Sequence, residues 1–285
     1  MPAQRIAFST LGCPEWPWER ILSVAAESGY DGIELRGIQQ ELRLDHLAPF
    51  LPANRAATLA RMADLGLALA CLDTSVSFHD PDQSAAKLDE GRIAIDLAAS
   101  CGCPGIRIFG DQLPKGQDPA AVVERVAAGV AALSRHADGS GVQIWLETHG
   151  DFVHARHVVP VLEAAVPGTV GLVWDVQHTR RGYGEDHVAC LDDLFGWIRH
   201  VHVKDLDPPT AEGKPVHRLP GEGLLPFPAL LADLMRRGYS GWLSFEWEKR
   251  WHPALEDPST ALPRAVVNLR RLLAGQGVSI KTAGN

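Results

Sequence analysis

Short apolar runs alternate along the chain with longer stretches in which apolar residues recur every three to four positions. Runs of strand length fall at 6–10, 31–36, 68–73, 105–110, 142–147, 170–175, 198–204 and 242–246. Helical periodicity fills 17–28, 53–65, 83–100, 118–137, 153–165, 186–195, 226–237 and 259–274. Eight strands, each followed by a helix at roughly 30 residues per unit, predict an α/β fold: a single (β/α)₈ barrel rather than a doubly wound sheet. Pro208-Pro209 and Pro220-Gly221-Glu222-Gly223 read as loops inside that barrel, not as domain boundaries. One barrel is expected over 1–274, with a frayed polar tail at 275–285.

Parity within the strands sharpens this reading. Side chains of a strand point alternately to opposite faces, so His200, His202 and Lys204 share one face and Val201 and Val203 the other. A strand in an ordinary parallel core is apolar on both faces. The same one-sided polarity recurs at Glu34 and Arg36, at Arg107, at Glu147, at Asp175, and at Ser244 and Glu246. One polar stripe per strand, concentrated at the C-terminal ends, is what the active face of a barrel enzyme requires. Two imidazoles and an ammonium stacked on one face also need an anionic or metallic partner.

Glu147, Asp175, His202 and Glu246 end the fifth to eighth strands, which sets them around one rim. Taken singly, each reads equally well as an ordinary strand-end polar residue. Together, three carboxylates and an imidazole make an oxygen-rich site for one divalent ion, Mn²⁺ first, with Mg²⁺, Co²⁺ or Zn²⁺ as alternatives. His178 and His149 follow two of these strand ends and are candidates for substrate contact, as are His217 and Arg218 in the loop before the last strand. Arg107 and Glu34 join them by parity. Lys204 either neutralises a substrate anion or pairs with Glu246 or Glu248, and His200 reads as a buried hydrogen-bonding residue. Trp16 and Trp18 fit either a sugar wall or a hydrophobic staple.

Composition narrows the partners. A formal net charge of -8 opposes a general nucleic-acid or anionic-membrane surface. Five cysteines, an odd number without a secretory leader, suggest reduced thiols in the cytoplasm. No apolar run approaches the roughly 20 residues of a membrane span. A small-molecule substrate is expected, and assembly into a homodimer or homotetramer is compatible with the chain.

Several motifs carry a family resemblance across nearly the whole sequence. They are Leu146-Glu147-Thr148-His149, Trp174-Asp175-Val176-Gln177-His178, His200-Val201-His202-Val203-Lys204-Asp205, Pro220-Gly221-Glu222-Gly223 and the segment from Gly238 to Glu246. The chain thereby resembles the xylose isomerase-like TIM barrel superfamily, which includes sugar phosphate isomerases/epimerases, inosose dehydratases and endonuclease IV. The resemblance implies that Glu147, Asp175, His202 and Glu246 ligate the metal, with His178 and Arg218 near the substrate. It implies a metal-dependent isomerase or epimerase acting on a sugar or sugar phosphate through an enediolate, with Glu147 and Glu246 exchanging protons. An inosose-dehydratase-like lyase is the alternative, since Lys204-Asp205 resembles that branch equally. The trinuclear endonuclease site departs from this sequence: the fourth strand reads Arg107-Ile108-Phe109-Gly110 without a histidine, and Pro215-Val216-His217 lacks the expected carboxylate. An inactive binding protein would be expected to have lost one of the two glutamates, and both are present.

Overall fold

The computed structural model describes residues 3–184, 186–208 and 216–277. Eight parallel strands form a closed barrel: β1 (Arg5–Ser9), β2 (Gly32–Leu35), β3 (Ala68–Ser77), β4 (Gly105–Phe109), β5 (Gln143–Glu147), β6 (Val170–Asp175), β7 (Ile198–Val203) and β10 (Trp242–Phe245). Strand order around the barrel is β1-β10-β7-β6-β5-β4-β3-β2, so sequence neighbours are spatial neighbours apart from one inserted hairpin, β8 (Asp205–Asp207) with β9 (Val216–Arg218). The helices are α1 (Trp18–Ser28), α2 (Pro52–Asp64), α3 (Ser84–Cys101), α4 (Pro119–Ala137), α5 (Ala155–Glu163), α6 (Arg180–Tyr183), α7 (His187–Leu194), α8 (Phe227–Arg236) and α9 (Pro258–Ala274). The α9 helix packs on α1 and α8.

Local chemistry starts several of these helices where the sequence pattern does. Asp118, Asp186 and Asp257 each accept a backbone N–H of the first turn, and Pro119 and Pro258 occupy the first helical position, where a missing N–H costs nothing. Two elements were not expected. The hairpin follows Lys204 in a stretch whose prolines read as loop, and α6 is too short to show a period. The tail expected at 275–285 lies outside the described residues from 278 onward. Among the described residues, no helix is long and apolar enough to cross a membrane. All five cysteines are free thiols.

The lumen is layered. At its lower end Ala7, Ala70 and Trp242 pack together, and Cys71, Trp145 and Val173 form a second apolar group. Gly105 makes room for this layer, because a Cβ there would lie 2.4 Å from the Trp145 ring. One residue pair further along each strand, the same inward parity brings polar side chains. The barrel floor is therefore filled by apolar side chains, and the polar side chains lie toward the C-terminal half. Trp16 and Trp18 are buried core residues, Trp18 packing edge-on against Phe50.

Candidate metal centre

The ends of β5, β6, β7 and β10 bring Glu147, Asp175, His202 and Glu246 to one point, with a ligand atom from each within 4.8 Å of all the others. Register explains the convergence: Asp175 and Ser244 both pair with His202 across neighbouring strands. Nδ1 of His202 lies 3.3 Å from Glu147 Oε1, 3.2 Å from Glu246 Oε2 and 3.8 Å from Asp175 Oδ2. Asp175 is aimed by its own turn, since its Oδ1 accepts the N–H groups of Gln177 and His178 at 2.8 and 2.9 Å. Its other oxygen is left for the cluster.

These side chains suit a divalent ion. Glu147 Oε2, Asp175 Oδ2 and Glu246 Oε2 are buried and accept no hydrogen bond. They are met instead by cations at ion-pair distance: Arg107 Nε at 3.2 Å from Glu147, and Lys204 Nζ at 2.9 Å from Asp175 and 2.5 Å from Glu246. Three carboxylates and one imidazole form a hard, oxygen-rich donor set, of the kind Mn²⁺ and Mg²⁺ prefer over thiolate-seeking metals.

The charges are strongly interdependent. Burial alone would raise the pKa of each carboxylate, yet His202 and Arg107 hold Glu147 low, and His202 and Lys204 hold Glu246 well below the usual carboxylate range. Burial likewise opposes ionisation of Asp175, and Lys204 overrides it. His202 is pushed the other way: burial disfavours its cation, but Glu246, Glu34 and Glu147 together raise it well above an ordinary histidine. Metal ligation needs a neutral imidazole, so an ion binding here must displace a proton from His202.

Beneath this cluster lies a second polar layer. Glu34 is fully buried between the two histidines of β7, 2.5 Å from His200 Nε2 and 3.2 Å from His202 Nε2. It therefore turns His202 so that Nδ1 faces the carboxylates, a carboxylate–histidine arrangement common behind metal ligands. Arg107 spans the layers, with its guanidinium 3.4 Å from Asp73, its Nη1 donating to the Thr74 carbonyl at 3.2 Å, and its plane over the Phe109 ring at 4.0 Å. Burial and the neighbouring Glu34 carboxylate push Asp73 well above the usual range.

A cleft of about 240 Å³ opens over the cluster, lined in part by Arg36, His149, His178, Glu248, Trp251 and His252. His178 and His149 meet edge to face at 4.5 Å, and burial lowers His178 despite the nearby Asp175. The other expected site residues are distributed unevenly. Lys204 joins the carboxylates and also bonds Glu248 at 2.6 Å. His217 stands beside the cleft against His252. Arg218 is not brought in: it lies exposed on β9 and pairs with Asp207 at 2.6 Å. Glu34 meets His200 and His202, not the cleft. Asp73, Arg36, Trp251 and His252 were missed as candidate site residues. Asp73 was legible by parity with Cys71, whereas Trp251 and His252 sit on a loop with no periodic signal.

Asp205 gives the Lys-Asp motif a structural meaning. Its carboxylate accepts the N–H groups of Leu206, Gly221, Gly223 and Leu225, tying the Pro-Gly-Glu-Gly loop to the end of β7. A Cβ on Gly223 would lie 2.5 Å from that carboxylate, which accounts for the glycine.

Comparison with known proteins agrees with this architecture. The family model described as xylose isomerase-like TIM barrel matches residues 22–272. Fructoselysine 3-epimerase of Shigella flexneri is 24% identical over 289 residues, covering 93% of this chain and 96% of the relative. Inosose dehydratase of Serratia proteamaculans is 30% identical over 151 residues, about half of each protein, at 47% and 50%. The solved IOLI protein with a bound zinc atom superposes with a TM-score of 0.76 at 18% identity, covering 95% of this chain and 98% of that one.

Proposed function

The chain belongs to the xylose isomerase-like TIM barrel family, and from that premise we propose that it is a divalent-metal-dependent isomerase or epimerase of a small polyhydroxy carbonyl compound. The observation that carries this reading is the pair of glutamates, Glu147 from β5 and Glu246 from β10, converging on His202 Nδ1 at 3.3 and 3.2 Å at the base of a cleft. Glu147, Asp175, His202 and Glu246 would hold the ion. When bound, it would polarise the substrate carbonyl and stabilise the charge of an enediolate.

The protein's own groups supply the proton traffic. One glutamate removes the proton α to the carbonyl, and the other returns a proton to the opposite face for epimerisation or to the adjacent carbon for isomerisation. Arg107, 3.2 Å away, keeps Glu147 in the ionised state a base must have. Glu246 would carry the proton to be returned, and Lys204 Nζ at 2.5 Å stabilises the carboxylate left once it is delivered. His149, His178 and Arg36 line the cleft as donors for substrate hydroxyls. Mn²⁺ is the first choice of metal from the donor set, and the five free thiols fit a cytoplasmic setting.

A second reading rests on His178, whose ring lies in the cleft beside His149. Removal of the α proton by a glutamate, with proton donation from a protonated imidazole there to a β-hydroxyl, would expel water and leave a C=C bond. The enzyme would then be a lyase on a keto-polyol, the reaction class named for the dehydratase that is similar to this chain over about half of each protein. Proton NMR of Mn²⁺-loaded protein with ketoses, fructoselysine, ketose phosphates and keto-inositols separates the two. New ring or chain epimers support the first reading. A conjugated product absorbing in the ultraviolet supports the second, and an unchanged panel with fully loaded protein counts against both.

A further inference from the structure

A second histidine–carboxylate group stands outside the catalytic cluster and is used by none of the chemistry above. His217 comes from the β8–β9 hairpin, and Glu248 and His252 from the segment after β10. A single turn, with His252 N–H donating to the Glu248 carbonyl at 2.9 Å, sets the two side chains side by side. Their side chains approach to 3.4 Å between Nε2 and Oε2. From the hairpin, the ring of His217 leans on His252 at a centroid distance of 4.7 Å, with Trp247 behind it.

We propose that His217, Glu248 and His252 form a second metal site for a borderline divalent ion such as Zn²⁺, at the rim of the cleft. Three observations point to it. A nitrogen or oxygen from each residue lies within 4.8 Å of the other two. Zinc bonds of roughly 2.1 Å place tetrahedral donors about 3.4 Å apart, so a rotamer adjustment on the order of an ångström closes the site. Nε2 of His217 is buried and has no hydrogen-bond partner, a cost that a ligand there would remove. Lys204 fixes Glu248 by one oxygen at 2.6 Å, which leaves the other facing His252.

The donor chemistry differs from that of the inner cluster. Two imidazoles and one carboxylate favour Zn²⁺, Co²⁺ or Ni²⁺ over Mg²⁺, whereas the inner set is dominated by oxygen. The His252 side chain is 41% exposed, so an ion can enter from solvent and keep water or a substrate oxygen as its remaining ligand. Lys204 touches Glu246 on one side and Glu248 on the other, so the two sites are adjacent but share no ligand.

The test is Zn²⁺ titration of metal-stripped full-length protein by calorimetry, with bound metal counted after dialysis. Wild type is expected to take two equivalents. The variant carrying Glu147→Gln and Asp175→Asn is expected to keep one, and further loading it with Co²⁺ should give visible absorption from a site containing two imidazoles. Adding His217→Asn and His252→Asn to that variant should abolish both signals; circular dichroism checks that it remains folded. A Glu147/Asp175 variant that binds no ion, or a quadruple variant that still binds one, overturns the proposal. Neither result bears on the isomerase reading, because the inner cluster is disabled in both proteins.

Discussion

His200 and His202 stand two residues apart on the same inward face of β7, yet the barrel treats them oppositely. His200 lies in the deep layer, stacked on Trp145 and bonded to Glu34, and burial lowers its affinity for a proton. His202 lies one layer higher, where the fields of Glu246, Glu34 and Glu147 overcome the same burial and raise it. The deep layer ends on an apolar floor and meets no cleft, although there too Glu34 Oε1 and His200 Nδ1 have no hydrogen-bond partner. The rim layer leaves carboxylate oxygens without hydrogen bonds beneath an open cleft. Depth along one strand face thus separates a structural network from a reactive one, and Glu34 joins the two by touching both histidines.

The sharpest way to break this comparison is to alter one layer at a time. Glu246→Gln is expected to reduce turnover by about 10²–10⁴-fold, the usual contribution of a positioned acid or base, in a barrel that still folds. A variant that unfolds instead would place Glu246 in the structural layer. In the deep layer the order reverses. Glu34→Ala strips the shared partner from two buried histidines, and chemical denaturation should show a loss of roughly 3–5 kcal/mol, as when one member of a buried charged pair is removed. An unchanged denaturation midpoint would mean that the network is not structural.

Proton linkage gives a third, smaller effect. In the metal-free protein His202 carries a proton because its pKa is raised. Metal binding must release it, so affinity should strengthen as pH rises toward the folded-state pKa of His202 and level off above it. Calorimetry of Mn²⁺ binding in buffers of different ionisation enthalpy measures the released proton directly, and a buffer-independent heat would contradict the assignment. Stability follows pH in the same direction. Glu34, Glu147, Asp175 and Glu246 are depressed in the fold, so the stability they contribute is present above the unfolded carboxylate pKa, near 4, and is lost as pH falls below it. The smallest expected effect is at Arg218, which is exposed and paired with Asp207. Steady-state kinetics of Arg218→Gln should match wild type, and a large rise in KM would bring that residue back to the substrate.

Much of this was readable in the chain because period-two parity is a local property. Polar residues at the ends of four successive strands reveal a rim before any tertiary contact is known. The hairpin, α6 and the placement of Arg218 were not readable for the converse reason. Their positions depend on long-range anchors such as Asp205, whose three backbone bonds to Gly221, Gly223 and Leu225 leave no trace in hydrophobic pattern. Parity also does not report depth. It set Glu34 on the luminal face with Glu147, and only the stagger of β2 against β7 shows that Glu34 lies beneath the cluster.

The central claim is that Glu147, Asp175, His202 and Glu246 hold a divalent ion that activates an α proton. The most direct measurement is deuterium wash-in from D₂O, followed by proton NMR with a responsive substrate, on metal-stripped protein before and after Mn²⁺ is restored. The account predicts exchange at a carbon next to the carbonyl only after Mn²⁺ is added, and none in Glu246→Gln loaded with the same ion. Exchange of equal rate in the stripped protein, or undiminished exchange in the variant, would contradict it.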